Sequence, residues 1–510
     1  MPTAVVKPAD LRRKKKLSEM IMDNSLGYDD TNPISIEAYA KKLIGHTFEE
    51  VLKWNSPYEV KEDVAEIYGN VSRKGGLGNL LEREYFGYEP NSSPEPDFPK
   101  AGVELKVTPY ERKKSGKLSA GERLVLGMIS YESPIESDFY KSHAWQKCKL
   151  ILLIYYLRNK ELASNLLYPI DYATLFTPTE ADLKIIEHDY EIIYEKISSG
   201  RAHELSEGDT MYLGACTKGS TAEKSTVPQY YGEHLPARKR AFCFKNSYMT
   251  YVLNNYIVNN VKTYDNAESI IKDGEELKNT SFEDYVVSKI ASFSGKSDEE
   301  LCMIFEREYN NNKAQWSDLA YRILGIKSNK AEEFLKANIK VKAVRVEENG
   351  NINESWPLPT FKYKQIIKET WEESELYDEL SETKYLLVVY KKKGDKYYLR
   401  GAKLWNMPYA DIENEVRKVW ERTVDTIKKG VKLEVSGNTV SNNLPGMKDN
   451  RVAHVRTHAN QTYYDLGDGT IIGKGSRTRD ANELPDGRWM TNHSFWINKS
   501  YLREQILEYL

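Results

Sequence analysis

Residues Pro96–Lys106 read Pro-Asp-Phe-Pro-Lys-Ala-Gly-Val-Glu-Leu-Lys, and the reading of this stretch decides what kind of molecule the chain forms. Asp97 stands in a loop, and from Val103 to Val107 apolar and charged residues alternate. Alternation with period two predicts a strand. Val103, Leu105 and Val107 then face a core, while Glu104 and Lys106 share the other face. Two carboxylates that converge with one lysine are the elements of a magnesium site with a water-handling group beside it. Mg²⁺ takes one or two protein carboxylates and keeps room for phosphate and water, which suits metal-assisted cleavage of a phosphodiester. The bland alternative is that any half-exposed strand can carry Glu and Lys on its wet face, so the neighbourhood has to decide.

Upstream, Gly75-Gly76-Leu77-Gly78-Asn79-Leu80-Leu81-Glu82 runs on to Phe86-Gly87. A glycine-rich turn followed by a helix would let Glu82 reach the same metal from a second element. Downstream, His143-Ala144-Trp145-Gln146-Lys147-Cys148-Lys149 leads into the apolar run Leu150–Leu157. That run predicts a buried strand, with Lys147 at its mouth and suited to holding a phosphate. Residues 178–200 predict a helix on the stripe Leu183, Ile186, Ile192, Ile193 and Ile197, an ordinary core pattern. Further on stand Tyr212-Leu213-Gly214-Ala215-Cys216-Thr217-Lys218-Gly219 and Arg238-Lys239-Arg240-Ala241-Phe242-Cys243-Phe244-Lys245.

Order, spacing and local sequence over Ser35–Val258 resemble the MutH-type endonucleases, which include a mismatch-repair nicking enzyme and type II restriction enzymes that cut at GATC. The resemblance implies an α/β fold, a mixed sheet flanked by helices of the PD-(D/E)xK restriction-endonuclease type. It implies that Glu82, Asp97, Glu104, Lys106 and Lys147 are the catalytic set, with Asp97, Glu104 and Glu82 as the Mg²⁺ ligands. His143 falls on the family's histidine ahead of that last lysine. Lys218 and the Arg240–Lys245 segment fall on regions that contact DNA in the family. One departure stands out: Cys216 occupies the place of the repair enzyme's base-reading arginine, so GATC is less firmly implied than the chemistry.

The second half echoes the first, the pattern expected of a duplicated unit. Ser281-Phe282-Glu283-Asp284-Tyr285 echoes Ser35–Tyr39, Glu333–Lys342 echoes Asp97–Lys106, Lys384–Tyr390 echoes Lys149 and the strand after it, and Phe495–Tyr501 echoes Phe242–Tyr248. In this second copy Ala320 replaces Glu82, Lys340 replaces Glu104 and Glu382 replaces Lys147, leaving only Glu333 and Lys342 of the set. A lysine in place of the second carboxylate predicts a catalytically dead copy. Arg451–Asn460 is basic and polar, and Arg456 falls where the base-reading arginine would lie. Arginine is the usual bidentate reader of guanine, so Arg456 and His458 are candidate DNA contacts; a solvated scaffold is the alternative.

The chain of 510 residues is long enough for two large domains. Its net charge of −3 means that DNA binding must rest on local patches. Four scattered cysteines without a Cys-x-x-Cys pair predict buried free thiols in a reducing compartment. No apolar stretch is long enough for a signal peptide or a membrane span, and the expected location is the cytoplasm. The expected layout is a basic tail over 1–32 with its Arg12–Lys16 run, a catalytic domain over 33–259, a linker over 260–280 and the degenerate copy over 281–510. The expected partners are double-stranded DNA, a second copy of the chain or a second DNA site, and a cognate DNA methyltransferase acting in the same system. Two rivals are a partner-dependent nicking enzyme and a non-enzymatic DNA-binding protein.

Overall fold

The apolar run becomes the central strand Ile151–Leu157 of a mixed sheet in this computed structural model, which describes residues 27–55, 68, 75–90, 93–113, 116–159, 161–219, 225–259, 269–272, 274–310, 312–437 and 439–510. The Arg12–Lys16 run lies outside these residues. Ile151, Leu152, Leu153, Ile154 and Tyr155 are fully buried, as a strand covered on both faces must be. On one side this strand pairs in parallel with Glu104–Arg112, Glu104 opposite Ile151 and Lys106 opposite Leu153. On the other it pairs antiparallel with Ile170–Phe176, and Leu118–Ala120 adds an antiparallel edge beside Glu104–Arg112. Parallel neighbours require a crossover. Its last element here is the short helix His143–Cys148, which returns the chain to the end of the sheet where Glu104 begins. Ile36, Phe48, Leu80 and Phe86 pack with Leu105, Leu152 and Ile154 in one core.

By its contacts the chain forms two compact units. Of the described residues, the first holds those up to Ser130, those of Pro134–Leu183 and those of Lys239–Thr263; the second holds Tyr131–Ser133, Lys184–Arg238 and those of Tyr264–Leu510. Specific bonds explain why 184–238 groups with the later half. Lys384 donates to the Asp209 carbonyl at 3.0 Å, Arg238 donates to the Tyr409 hydroxyl at 2.7 Å, and Lys336 lies 5.8 Å from the Tyr212 ring centre. The expected helix is Glu180–Ser198, two residues shorter at each end, with Ile186, Ile193 and Ile197 buried and Leu183 and Ile192 partly so. Its buried Asp189 accepts the backbone N–H groups of Met211, Tyr212 and Leu213 at 2.6, 2.6 and 2.9 Å.

In the second unit Ile339–Val346 pairs in parallel with Lys384–Lys393, Lys340 opposite Tyr385 and Lys342 opposite Leu387, and Lys384–Lys393 pairs antiparallel with Lys396–Trp405. A further sheet sets His493–Ile497 between Trp356–Thr360 and Ala453–Thr457. The segment Ser269–Ile271, expected within a linker, is instead tied down: the buried Glu333 carboxylate accepts Ser269 Oγ at 2.5 Å and the N–H groups of Ile270 and Ile271. All four cysteines are buried free thiols. Many of the 36 tyrosines are core, Tyr155, Tyr212, Tyr248, Tyr363, Tyr385 and Tyr390 being among the largest fully buried side chains. Among the described residues no helix is long and apolar enough to cross a membrane.

Candidate active site

The spacing between Asp97 and Glu104 is that of a small hairpin. Phe98 and Val103 form an isolated antiparallel bridge, and Gly102 takes φ = 67°, a left-handed conformation that favours glycine. The loop thereby returns Asp97 to the start of the strand. Its carboxylate accepts the N–H of Leu105 at 2.9 Å, and its own N–H reaches Glu104 Oε2 at 3.3 Å. Alternation along the strand is as expected, but the face carrying Glu104 is not wet. Glu104 is 2 % exposed because Lys106 Nζ lies 2.7 Å from Oε1 and Lys147 Nζ 2.9 Å from Oε2. Lys147 comes from the helix His143–Cys148, whose N-cap Ser142 accepts the N–H of Trp145, and it also donates to the Glu95 carbonyl at 2.6 Å. His143, at the start of that helix, is exposed.

Glu82 arrives from a second element. The helix Gly76–Leu80 widens into a π-turn, Leu81–Tyr85, a distortion found often at functional sites. Burial, then the charge of Asp97, pushes the Glu82 carboxyl up to about 7, with Glu104 adding to the rise. Burial, then the charge of Glu104, pushes Asp97 up to about 6. These mutual effects place three carboxylates in one field of negative charge, which Lys106 and Lys147 only partly offset. An all-oxygen set without thiol or imidazole fits a hard divalent cation. Among the described residues no three acidic, histidine or cysteine groups are already closed around one point, and both Glu104 oxygens are taken by lysines. Tyr88 was not singled out in the sequence. Its N–H bonds the Glu82 carbonyl at 3.0 Å, its buried hydroxyl has no hydrogen-bond partner among the described residues, and burial followed by Asp97 and Glu82 raises it far above the ordinary phenol range. The only sequence signal for it is its place directly after Phe86-Gly87.

The positions assigned to DNA divide by exposure. Arg456, in strand Ala453–Thr457, and His458 just after it are exposed. Arg456 lies 5.3 Å from the Trp496 ring centre, and the His458 ring lies 5.4 Å from the same indole. Lys218 is half-exposed behind the buried Cys216. Arg240 and Lys245 are 2 % and 1 % exposed and engaged within the protein, whereas Lys239 between them and Arg238 is exposed. Arg240 and Lys245 therefore offer no surface charge, because the whole strand Arg240–Phe244 and the residue after it are buried.

In the second unit the lysine aligned with Glu104 meets a helix residue one turn before Glu382. Lys340 is bound by both oxygens of Glu379, at 2.6 and 2.7 Å. Glu379 sits in the helix Glu375–Glu382 that enters strand Lys384–Lys393, as the helix of Lys147 enters Ile151–Leu157. A strand–helix ion pair is present in each unit, with its signs reversed. Ala320 is fully buried, and the Glu333 carboxylate is spent on Ser269–Ile271.

Three carboxylates and two lysines gather at one end of a mixed sheet, and the chain that carries them is a site-specific deoxyribonuclease of the MutH type. The family described as DNA mismatch repair enzyme MutH matches residues 86–189, a span that contains Asp97, Glu104, Lys106 and Lys147 and begins just past Glu82. Type II restriction enzyme Sau3AI of Staphylococcus aureus is 35% identical over 487 residues, covering 88% of this chain and 96% of that enzyme. DNA mismatch repair protein MutH of Shewanella woodyi is 28% identical over 159 residues, 31% of this chain and 66% of that protein. The chain belongs to the family of MutH-related type II restriction endonucleases.

Proposed function

We propose that this restriction endonuclease hydrolyses both strands of DNA at a short palindrome, GATC, with Mg²⁺, using Asp97, Glu104, Lys106 and Lys147 of the first unit, Glu82 assisting. The observation that carries the reading is the hairpin that sets Asp97 against Glu104 while two ammonium groups cover the Glu104 carboxylate. Asp97 and Glu104 would hold the ion and Glu82 a second ion or its waters. Bound there, a divalent cation supplies Lewis acidity and lowers the pKa of a coordinated water. Lys106 orients the attacking water beside Glu104. Lys147, anchored by the Glu95 carbonyl, offsets charge that builds on the phosphate.

The second unit is read as a degenerate copy of the PD-(D/E)xK fold that binds DNA through Arg456 and His458, at a second recognition site. The parallel pair followed by an antiparallel strand in both units supports this, as do the matched positions of Lys106 and Lys342 opposite Leu153 and Leu387. A palindrome needs two cuts and each chain has one intact set, so two chains meet on DNA or one chain cuts in turn. Lys218 is proposed as a phosphate contact, a methyltransferase as the system's companion and the cytoplasm as the location. Glu104→Gln tests the site: cleavage should vanish while duplex binding stays within a few-fold of the unchanged chain, and residual cutting at the normal rate would refute the assignment.

A further inference from the structure

We propose that the cavity beside Lys342 in the second unit is a phosphate site, filled by a backbone phosphate of double-stranded DNA. The inference rests on the reading of this unit as DNA-binding. The cavity has a volume of about 290 Å³, and its walls include Lys340, Lys342, Trp356, Glu379, Tyr385 and His458. Lys340 and Glu379 neutralise each other, and the Tyr385 hydroxyl also donates to Glu379 at 3.2 Å. Lys342 remains. Among the described residues its ammonium has no hydrogen bond or ion pair; it lies 5.7 Å from the Trp356 ring centre, with Lys340 and the Glu379 that Lys340 already binds as its charged neighbours. Burial and then the charge of Lys340 both hold its proton affinity below the usual lysine range.

An unpaired, half-buried cation is costly in a folded protein unless something compensates it, and a cavity leaves room for the compensating group. The balance of charge at the walls is positive, which favours an anion and excludes a metal ion. Lysine binds phosphate as a point charge. In the first unit the lysine at the matching strand position is satisfied by a carboxylate, Lys106 on Glu104; at Lys342 that carboxylate is gone. The extended character of the ligand follows from what lies outside. His458 lines the cavity, and it and the exposed Arg456 both lie against Trp496. A hydrogen-bonding imidazole and then a guanidinium thus continue from the cavity onto the surface, as a polyanion requires and a lone phosphate does not.

The test uses the full chain carrying Glu104→Gln, so that DNA is bound and not cut, with calorimetry at several salt concentrations and enough duplex to fill both units. Lys342→Met should weaken binding of the second duplex about tenfold and reduce the slope of log K against log salt by about 0.9, the loss of one phosphate contact. Lys342→Arg should keep the slope, and an unchanged melting temperature for Lys342→Met excludes unfolding as the cause. A second duplex bound with unchanged slope and affinity by Lys342→Met would overturn the phosphate site while leaving the DNA-binding reading standing. If the chain with Lys342 intact binds no second duplex, the underlying reading fails and this inference with it. Inorganic phosphate, added at constant ionic strength, separates the sources. Stabilisation by phosphate that Lys342→Met abolishes, with the DNA slope unaffected, would assign the site to free phosphate and overturn the DNA assignment.

Discussion

Asp97→Asn should make the metal-free protein more stable while removing its activity. Asp97 is pushed from 3.8 to about 6 by burial and by Glu104. A raised carboxyl means that the folded state holds the proton more tightly than the unfolded state, so stability falls as pH rises through the interval from 3.8 to about 6. About two pH units correspond to about 3 kcal/mol, at about 1.36 kcal/mol per unit. Asparagine removes the charge yet keeps an oxygen for the Leu105 N–H, a weaker acceptor by about 1 kcal/mol. The expected net gain at pH 8 is about 1–2 kcal/mol, a rise of about 2–8 °C in the melting of the first unit. At pH 5 the interval from 3.8 to about 6 is only about half crossed, so the gain should shrink to less than about 1 kcal/mol. Scanning calorimetry of the chelated full chain at pH 5 and pH 8, with a plasmid cleavage assay alongside, measures this. A variant that loses stability equally at both pH values would refute the reasoning, because Asp97 would then be a structural acceptor and not a member of a repelling acidic cluster.

Other consequences are open to direct measurement. Lys147→Met strips one ammonium from Glu104 and leaves the Glu95 carbonyl unpaired; stability should fall by about 1–3 kcal/mol in urea and cleavage by about 100-fold. Tyr88→Phe removes a buried hydroxyl that has no partner among the described residues, so denaturant titration of the metal-free chain should give equal stability or a gain of about 1 kcal/mol; a clear loss would reveal a missed hydrogen bond. Asp189→Asn weakens the grip on three backbone N–H groups, and hydrogen exchange at Met211–Leu213 should accelerate as stability drops by about 2–4 kcal/mol.

The sheet was legible because its strands carry unambiguous patterns: an unbroken apolar run for Ile151–Leu157 and strict alternation for Val103–Val107. The carboxylate pair was legible from a loop aspartate followed closely by an alternating strand, whereas the hairpin turn at Gly102 that closes their spacing was not. What the patterns could not convey was the third dimension of charge. Alternation placed Glu104 away from the core, but only the arrival of Lys147 from a distant helix turns that face into a buried one. Likewise, a count of basic residues in Arg238–Lys245 could not separate the exposed Lys239 from the buried Arg240 and Lys245. The echo aligned Glu382 with Lys147 but could not tell which residue of its helix meets Lys340, because a helix can bring any of several positions to a strand end; it is Glu379, one turn earlier. Tyr88 escaped notice since a tyrosine beside an acidic site leaves no periodic mark.

The central claim is most directly tested by incubating the protein and its Glu104→Gln variant with unmethylated plasmid bearing several GATC sites and Mg²⁺, and sequencing every end produced. The account expects double-strand fragments from the wild type, all ending at GATC, and intact plasmid from the variant. Cutting by Glu104→Gln, or fragments from the wild type that end elsewhere, would contradict it.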